Sequence, residues 1–132
     1  MIKFRAWDTL NKKWLNLWEI TLALDGAVMA VSDMNGETYG LHQVELCQYT
    51  GLKDKNSKEI YEGDIVHYVY QPGKGFWNDD NYYQIVWNST GWAMQHKDYS
   101  PNWLTSIPGA YMPDCQKLFE IIGNIYNNPE LL

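Results

Sequence analysis

Residues 45–66, ELCQYTGLKDKNSKEIYEGDIV, constrain the fold more than any other stretch of this chain. Their center, residues 51–57, is polar, charged and rich in turn formers, and both flanks are apolar and β-prone. That composition reads as strand, exposed connection, strand. The stretch sets no nucleophile beside a base and contains no metal cage or phosphate cradle, so it speaks to architecture rather than chemistry.

The rest of the chain repeats the theme. Ile2, Phe4 and Ala6 alternate with Lys3, Arg5 and Trp7, the period of a strand with one buried face. Residues 8–11 form a turn, and residues 14–24 read as a strand broken near Trp18. Asp25-Gly26 between two apolar runs marks a tight hairpin with residues 27–31 as the partner strand, and Asn35-Gly36 is a second turn signal. Residues 41–49 fit either a strand or a short helix leading into one. After the Glu62-Gly63-Asp64 turn, residues 65–70 (IVHYVY) are the clearest strand. Residues 82–87 and 92–96 form a further hairpin. Residues 71–80 and 100–113 read as loops, the latter with three of the five prolines. Residues 117–123 end the pattern as a strand or a helical turn entering one. No run of about 12 residues shows a capped helical stripe. The expected fold is mainly β, with a β-rich α+β arrangement as the alternative: an N-terminal β-hairpin region over residues 1–50 and a small β-barrel over residues 51–132, packed as one compact unit.

Composition narrows the function classes. At 132 residues with 45% hydrophobic content the chain suits one small domain or two tightly packed lobes. Its 7 Trp, 10 Tyr and 3 Phe supply much apolar area for a small core, and some of those rings are candidates for an exposed binding surface. A net charge of −6 gives no general attraction to phosphate backbones. Lys53, Lys55 and Lys58 are interleaved with Asp54 and Glu59, the pattern of a solvated turn. Cys47, in an apolar run, reads as a buried small hydrophobe. With Cys115 it fits no metal spacing, and a disulfide between the two stays open. The N-terminus has no signal-peptide pattern and no segment is long enough to span a membrane, so the expected compartment is the cytoplasm.

Candidate chemistry is sparse. His42, His67 and His96 have no partner at ligand spacing, although His96 and Asp98 fall two apart. Glu59, Glu62 and Asp64 flank a turn, where exposed acids are ordinary. No nucleophile elbow and no glycine-rich phosphate loop is present. The expectation is no catalytic residue, no metal and no cofactor.

Three segments together resemble the YopX family of phage and prophage proteins: the opening MIKFRAWD (residues 1–8), the central QYTGLKDKN continuing through KEIYEGDIV (residues 48–56 and 58–66), and the ending FEIIGNIYNNPELL (residues 119–132). The resemblance implies a small cytoplasmic protein of a phage or prophage, acting in its bacterial host, with no associated catalytic residues. It also implies a compact barrel of the Src-homology-3 type after the Glu62-Gly63-Asp64 turn. The stretches between the motifs, residues 71–80 and 87–114, depart from the shared pattern. The motif glycines, Asp54 and Asn56 suit turns, and Ile65, Val66, Ile121 and Ile122 suit a core.

Protein–protein contact is the function class these residues fit best, through an interaction surface drawn from Trp77, Tyr82, Tyr83, Trp92, Trp103 and Tyr111. The partner would be a host or phage protein, or a second copy of the chain. A single-stranded nucleic-acid-binding barrel, with Tyr82, Tyr83, Trp87 and Trp92 as stacking rings, is the alternative, but no cluster of Lys or Arg accompanies the rings. An enzyme with an unrecognised site is the third reading.

Overall fold

The computed structural model describes residues 2–68, 82–88, 91–96, 105–106 and 119–132. Among them every regular element is a β-strand apart from a 3-10 turn at Pro129–Leu131, so the mainly β fold stands. The chain divides into two compact units, Met1–Gln48 and Tyr49–Leu132.

The first unit contains β1 (Phe4–Asp8), β2 (Lys13–Leu15), β3 (Leu17–Leu22), β4 (Val28–Asp33), β5 (Thr38–Gly40) and the first half of β6 (Val44–Lys53). β1 runs between β2 and β6, and β4 between β3 and β5, all antiparallel. Ala6, Leu15, Val31, Tyr39 and Val44 form the core, with Leu17, Ile20 and Leu46 packed against it. The expectation of one buried face on β1 needs correction. Ile2 is 75% exposed, whereas Trp7 is buried. Trp7 meets its register partner Trp14 edge to face at 5.1 Å, and the Arg5 guanidinium lies 4.2 Å over the Trp14 ring. A strand with neighbors on both sides has its second face covered by their side chains, which alternation within β1 cannot foretell. The break expected near Trp18 is present: β2 and β3 are separated at Asn16, and the pairing of β3 with β4 is irregular between Leu17 and Glu19. Residues 41–43 are a turn rather than a helix.

The second unit contains the rest of β6, β7 (Glu59–Tyr61), β8 (Asp64–Tyr68), β9 (Tyr82–Asn88), β10 (Gly91–His96), β11 (Thr105–Ser106) and β12 (Phe119–Asn124). Five strands in the order β11-β10-β9-β8-β12 make an antiparallel sheet that curls into a half-barrel, compatible with a Src-homology-3-type barrel. The expected strands in residues 82–87, 92–96 and 119–122 are present, and the one expected over 65–70 is present as far as Tyr68, with residues 69–70 outside the described residues. Val66 pairs with Tyr83, and Ile85 with Met94. These four, with Ile60 and Phe119, form the core, against which Leu52, Trp92 and Ile121 pack. Cys47 is buried, as its apolar surroundings predict. Cys115, residues 71–80 and most of residues 100–113 lie outside the described residues, but the expected 100–113 loop needs correction: Thr105–Ser106 within it form β11, paired with Met94 and Ala93.

Candidate functional site

Three hairpin loops use one turn. Ala23, Asp33 and Asp54 each donate their N–H to the carbonyl four residues on (Ala27, Glu37, Lys58; 2.8–2.9 Å), and each carbonyl accepts from the residue three on (Gly26, Gly36, Ser57; 3.0–3.1 Å). That third residue is left-handed every time: φ is +87° at Gly26, +85° at Gly36 and +63° at Ser57. The turn is closed further by aspartate. Asp33 Oδ1 accepts the N–H groups of Asn35 and Glu37, and Asp54 Oδ1 those of Asn56 and Lys58.

The polar center expected to be an exposed connection is therefore shorter and more structural than its composition indicates. β6 continues through Gly51 (φ +85°) to Lys53, leaving 54–58 as the turn. Asp54 is only 3% exposed. Its second oxygen accepts the N–H of Ile121, 67 residues away, at 3.0 Å, and the Lys55 N–H reaches the Phe119 carbonyl at 2.8 Å. Gly63 (φ +87°) donates to the Ile85 carbonyl and accepts from the Ile125 N–H, both at 2.9 Å. Asn124 Oδ1 accepts the N–H groups of Tyr126 and Asn127. The central and terminal motifs are thus tied to each other through backbone groups.

Of the aromatic residues expected to form an interaction surface, Trp77, Trp103 and Tyr111 lie outside the described residues. Tyr83 is 2% exposed, inside the core, and so is not available to a partner or a nucleic-acid base. Alternation puts Tyr82 on the other face of the sheet, 37% exposed and edge to face with its register partner His67 at 5.6 Å. Trp92 is partly buried against the core and meets Trp87 edge to face, centroids 4.9 Å apart and planes at 70°. Trp87 is 58% exposed. It continues the row of Tyr83 and Ile85 toward the hairpin end, so alternation alone marks it as core. The sequence marks it only as a stacking ring; its place beside the end of β9 at Asn88 is the signal for its exposure. Trp18 is 71% exposed at an irregularity in β3, which alternation does not reveal.

A separate recess of about 350 Å³ in the first unit is lined by Asp8, Thr9, Leu10, Asn11, Tyr39, His42 and Gln43. Its polar groups mostly serve one another. Asp8 accepts the Leu10 and Asn11 N–H groups and the Asn11 side-chain amide. That amide hydrogen bond is the main reason the Asp8 carboxyl titrates below the usual carboxylate range; the two backbone donors and nearby Lys13 act in the same direction, and burial opposes them. The Tyr39 hydroxyl donates to Glu37 Oε2 at 2.8 Å and faces Asp33 Oδ2 at 3.2 Å. Losing its proton beside Glu37 and Asp33, in a desolvated position, is disfavored, so its pKa is pushed well above the ordinary tyrosine value. Among the described residues no three His, Cys, Asp or Glu side chains converge as a metal site would require. No helix among them is long and apolar enough to cross a membrane.

Fold and surface together define a small, mainly β protein of two units, whose motif segments build turns and backbone ties and whose half-barrel displays a braced tryptophan. Residues 3–132 match the family described as YopX protein, and the chain belongs to that family. It is similar to a solved structure described as protein EF1440 from Enterococcus faecalis, with 26% identity, a TM-score of 0.67, and coverage of 100% of this chain and 98% of that one. No curated protein matches.

Proposed function

We propose that this YopX-family protein is a non-enzymatic accessory protein of a phage or prophage, working in the cytoplasm of the bacterial host through contact with another protein and taking no metal or cofactor. The observation that carries the reading is Trp87, 58% exposed and braced edge to face by Trp92. A large ring held in place by a neighbor loses little conformational freedom when a partner covers it, the property of an interface anchor. The engagement of motif residues in turn and backbone bonds supports a scaffold role for those segments. The partner is a host or phage protein, self-association being the simplest version.

The test is affinity capture from infected-host lysate with wild-type and Trp87→Ala protein, each with and without nuclease. A protein retained after nuclease and lost with Trp87→Ala, at unchanged melting temperature, supports the proposal. A catch that disappears with nuclease would favor the single-stranded nucleic-acid reading instead.

A further inference from the structure

The repeated turn sets Asp25, Asn35 and Asn56 directly before its left-handed residue, and their side chains have different duties. Asp25 Oδ1 accepts the Ala27 N–H and so closes its own turn. In the second turn Asp33 does that work, accepting the N–H groups of Asn35 and Glu37. The exposed side-chain amide of Asn35 is left without a hydrogen-bond partner among the described residues. Gly36 follows it at φ +85°, with nothing within 4 Å of where a Cβ would stand. No side chain of its own therefore hinders approach to its amide nitrogen. Asn56 is equally exposed and relieved in the same way by Asp54, but the residue after it is Ser57.

We infer that Asn35-Gly36 is a self-modifying site, at which water converts Asn35 to isoaspartate in the folded protein. The Gly36 amide nitrogen gives up its proton to solvent base and attacks Asn35 Cγ. A C–N bond forms, and the side-chain nitrogen leaves as ammonia after taking a proton from water. Water then opens the five-membered imide: breaking the new Cγ–N bond yields aspartate, and breaking the original peptide bond yields isoaspartate. Nothing is oxidised or reduced. The Gly36 N–H bond to the Asp33 carbonyl, at 3.1 Å, opposes the attack, and the matching Ser57 bond to Asp54, at 3.0 Å, opposes it in the third turn. What distinguishes the two turns is the side chain of residue 57. Isoaspartate adds one methylene to the main chain inside the turn that the Asp33 N–H to Glu37 carbonyl bond closes. It also sets a new carboxylate beside buried Asp33 and beside Glu37, the two acids that meet the Tyr39 hydroxyl. The modification thus loosens the β4–β5 hairpin. It is independent of Trp87, which belongs to the other unit, and either reading can fail alone.

The test is incubation of the folded full chain from neutral to mildly alkaline pH, with peptide mass spectrometry that separates isoaspartate from aspartate. Asn35 should convert several-fold faster than Asn56, mainly to isoaspartate, at a rate that rises with pH because the attacking nitrogen must be deprotonated. Asn35→Gln should block conversion at that position, since the longer side chain would have to close a larger ring. Conversion of Asn35 no faster than that of Asn56, or seen only after the chain is unfolded in urea, overturns the inference. The isoaspartate form, separated by its added charge, should melt below wild type and lose amide-exchange protection at Asp33 and Glu37. Asn35→Asp carries the charge without the methylene and should melt between the two. If Asn35→Asp melts as low as the isoaspartate form, or the isoaspartate form keeps that protection, the claim that the lengthened main chain loosens the hairpin is overturned.

Discussion

Gly63 combines a left-handed backbone with crowding. At φ +87° any side chain is strained, and a Cβ would sit 3.2 Å from the Tyr126 ring and 3.6 Å from Ile125. Gly63→Val should therefore destabilise the fold by roughly 1–3 kcal/mol, read as a fall in the denaturation midpoint. An unchanged midpoint would show that the turn adapts. Ser57 is the converse case: its φ of +63° costs a serine what glycine avoids. Ser57→Gly should leave stability unchanged or raise it by up to about 1 kcal/mol, since backbone relief outweighs the greater freedom of the unfolded glycine. Asp8 adds a pH signature. Its folded pKa lies below the ordinary 3.8, so its stabilising contribution is complete above that value and is lost as pH falls below it through the folded value. The stability gap between wild type and Asp8→Asn, measured by urea titration, should narrow between about pH 7 and about pH 2; a constant gap would mean the amide bond from Asn11 does not distinguish the charged carboxylate.

At the scale of elements, one turn serves three hairpins, and its signals are local. Asp25-Gly26 and Asn35-Gly36 announce their hairpins because a positive φ at the third loop position selects glycine directly. Asp54-Lys55-Asn56-Ser57 builds the same turn without glycine, which is why composition alone sets its boundaries too wide. The burial of Asp54 was not legible at all: it requires the Ile121 N–H from the far end of the chain. Asp54→Ala leaves three backbone donors without their carboxylate. The expected cost is roughly 2–3 kcal/mol, as for buried hydrogen bonds to a charged group. Amide hydrogen exchange should show the loss at Ile121 as well as in the turn. Protection lost in the turn alone would mean that β12 is held by β8 without help.

At the scale of the molecule, electrostatics separates the two leading functions. Between residues 78 and 100 the only Lys or Arg is Lys97, and the chain carries −6 overall. Base stacking without a cationic groove is weak, so oligonucleotide binding at physiological salt should be undetectable by fluorescence anisotropy. Micromolar binding lost on Trp87→Ala or Trp92→Ala, with the fold intact, would reverse the ranking. Tyr83→Ala is uninformative there, because its ring lies in the core and its removal threatens the half-barrel itself.

The sequence by itself determined the mainly β class, the half-barrel strands other than β11 and two hairpin turns, because period-two alternation and positive-φ turns are written in neighboring residues; the family came from the likeness of three motif segments. Tertiary structure alone decided which rings face solvent. Tyr83 and Trp87 share one face by alternation, yet one is 2% and the other 58% exposed. Alternation assigns a face, but the depth of burial along that face depends on where neighboring strands end and curl, and that depends on residues distant in the chain.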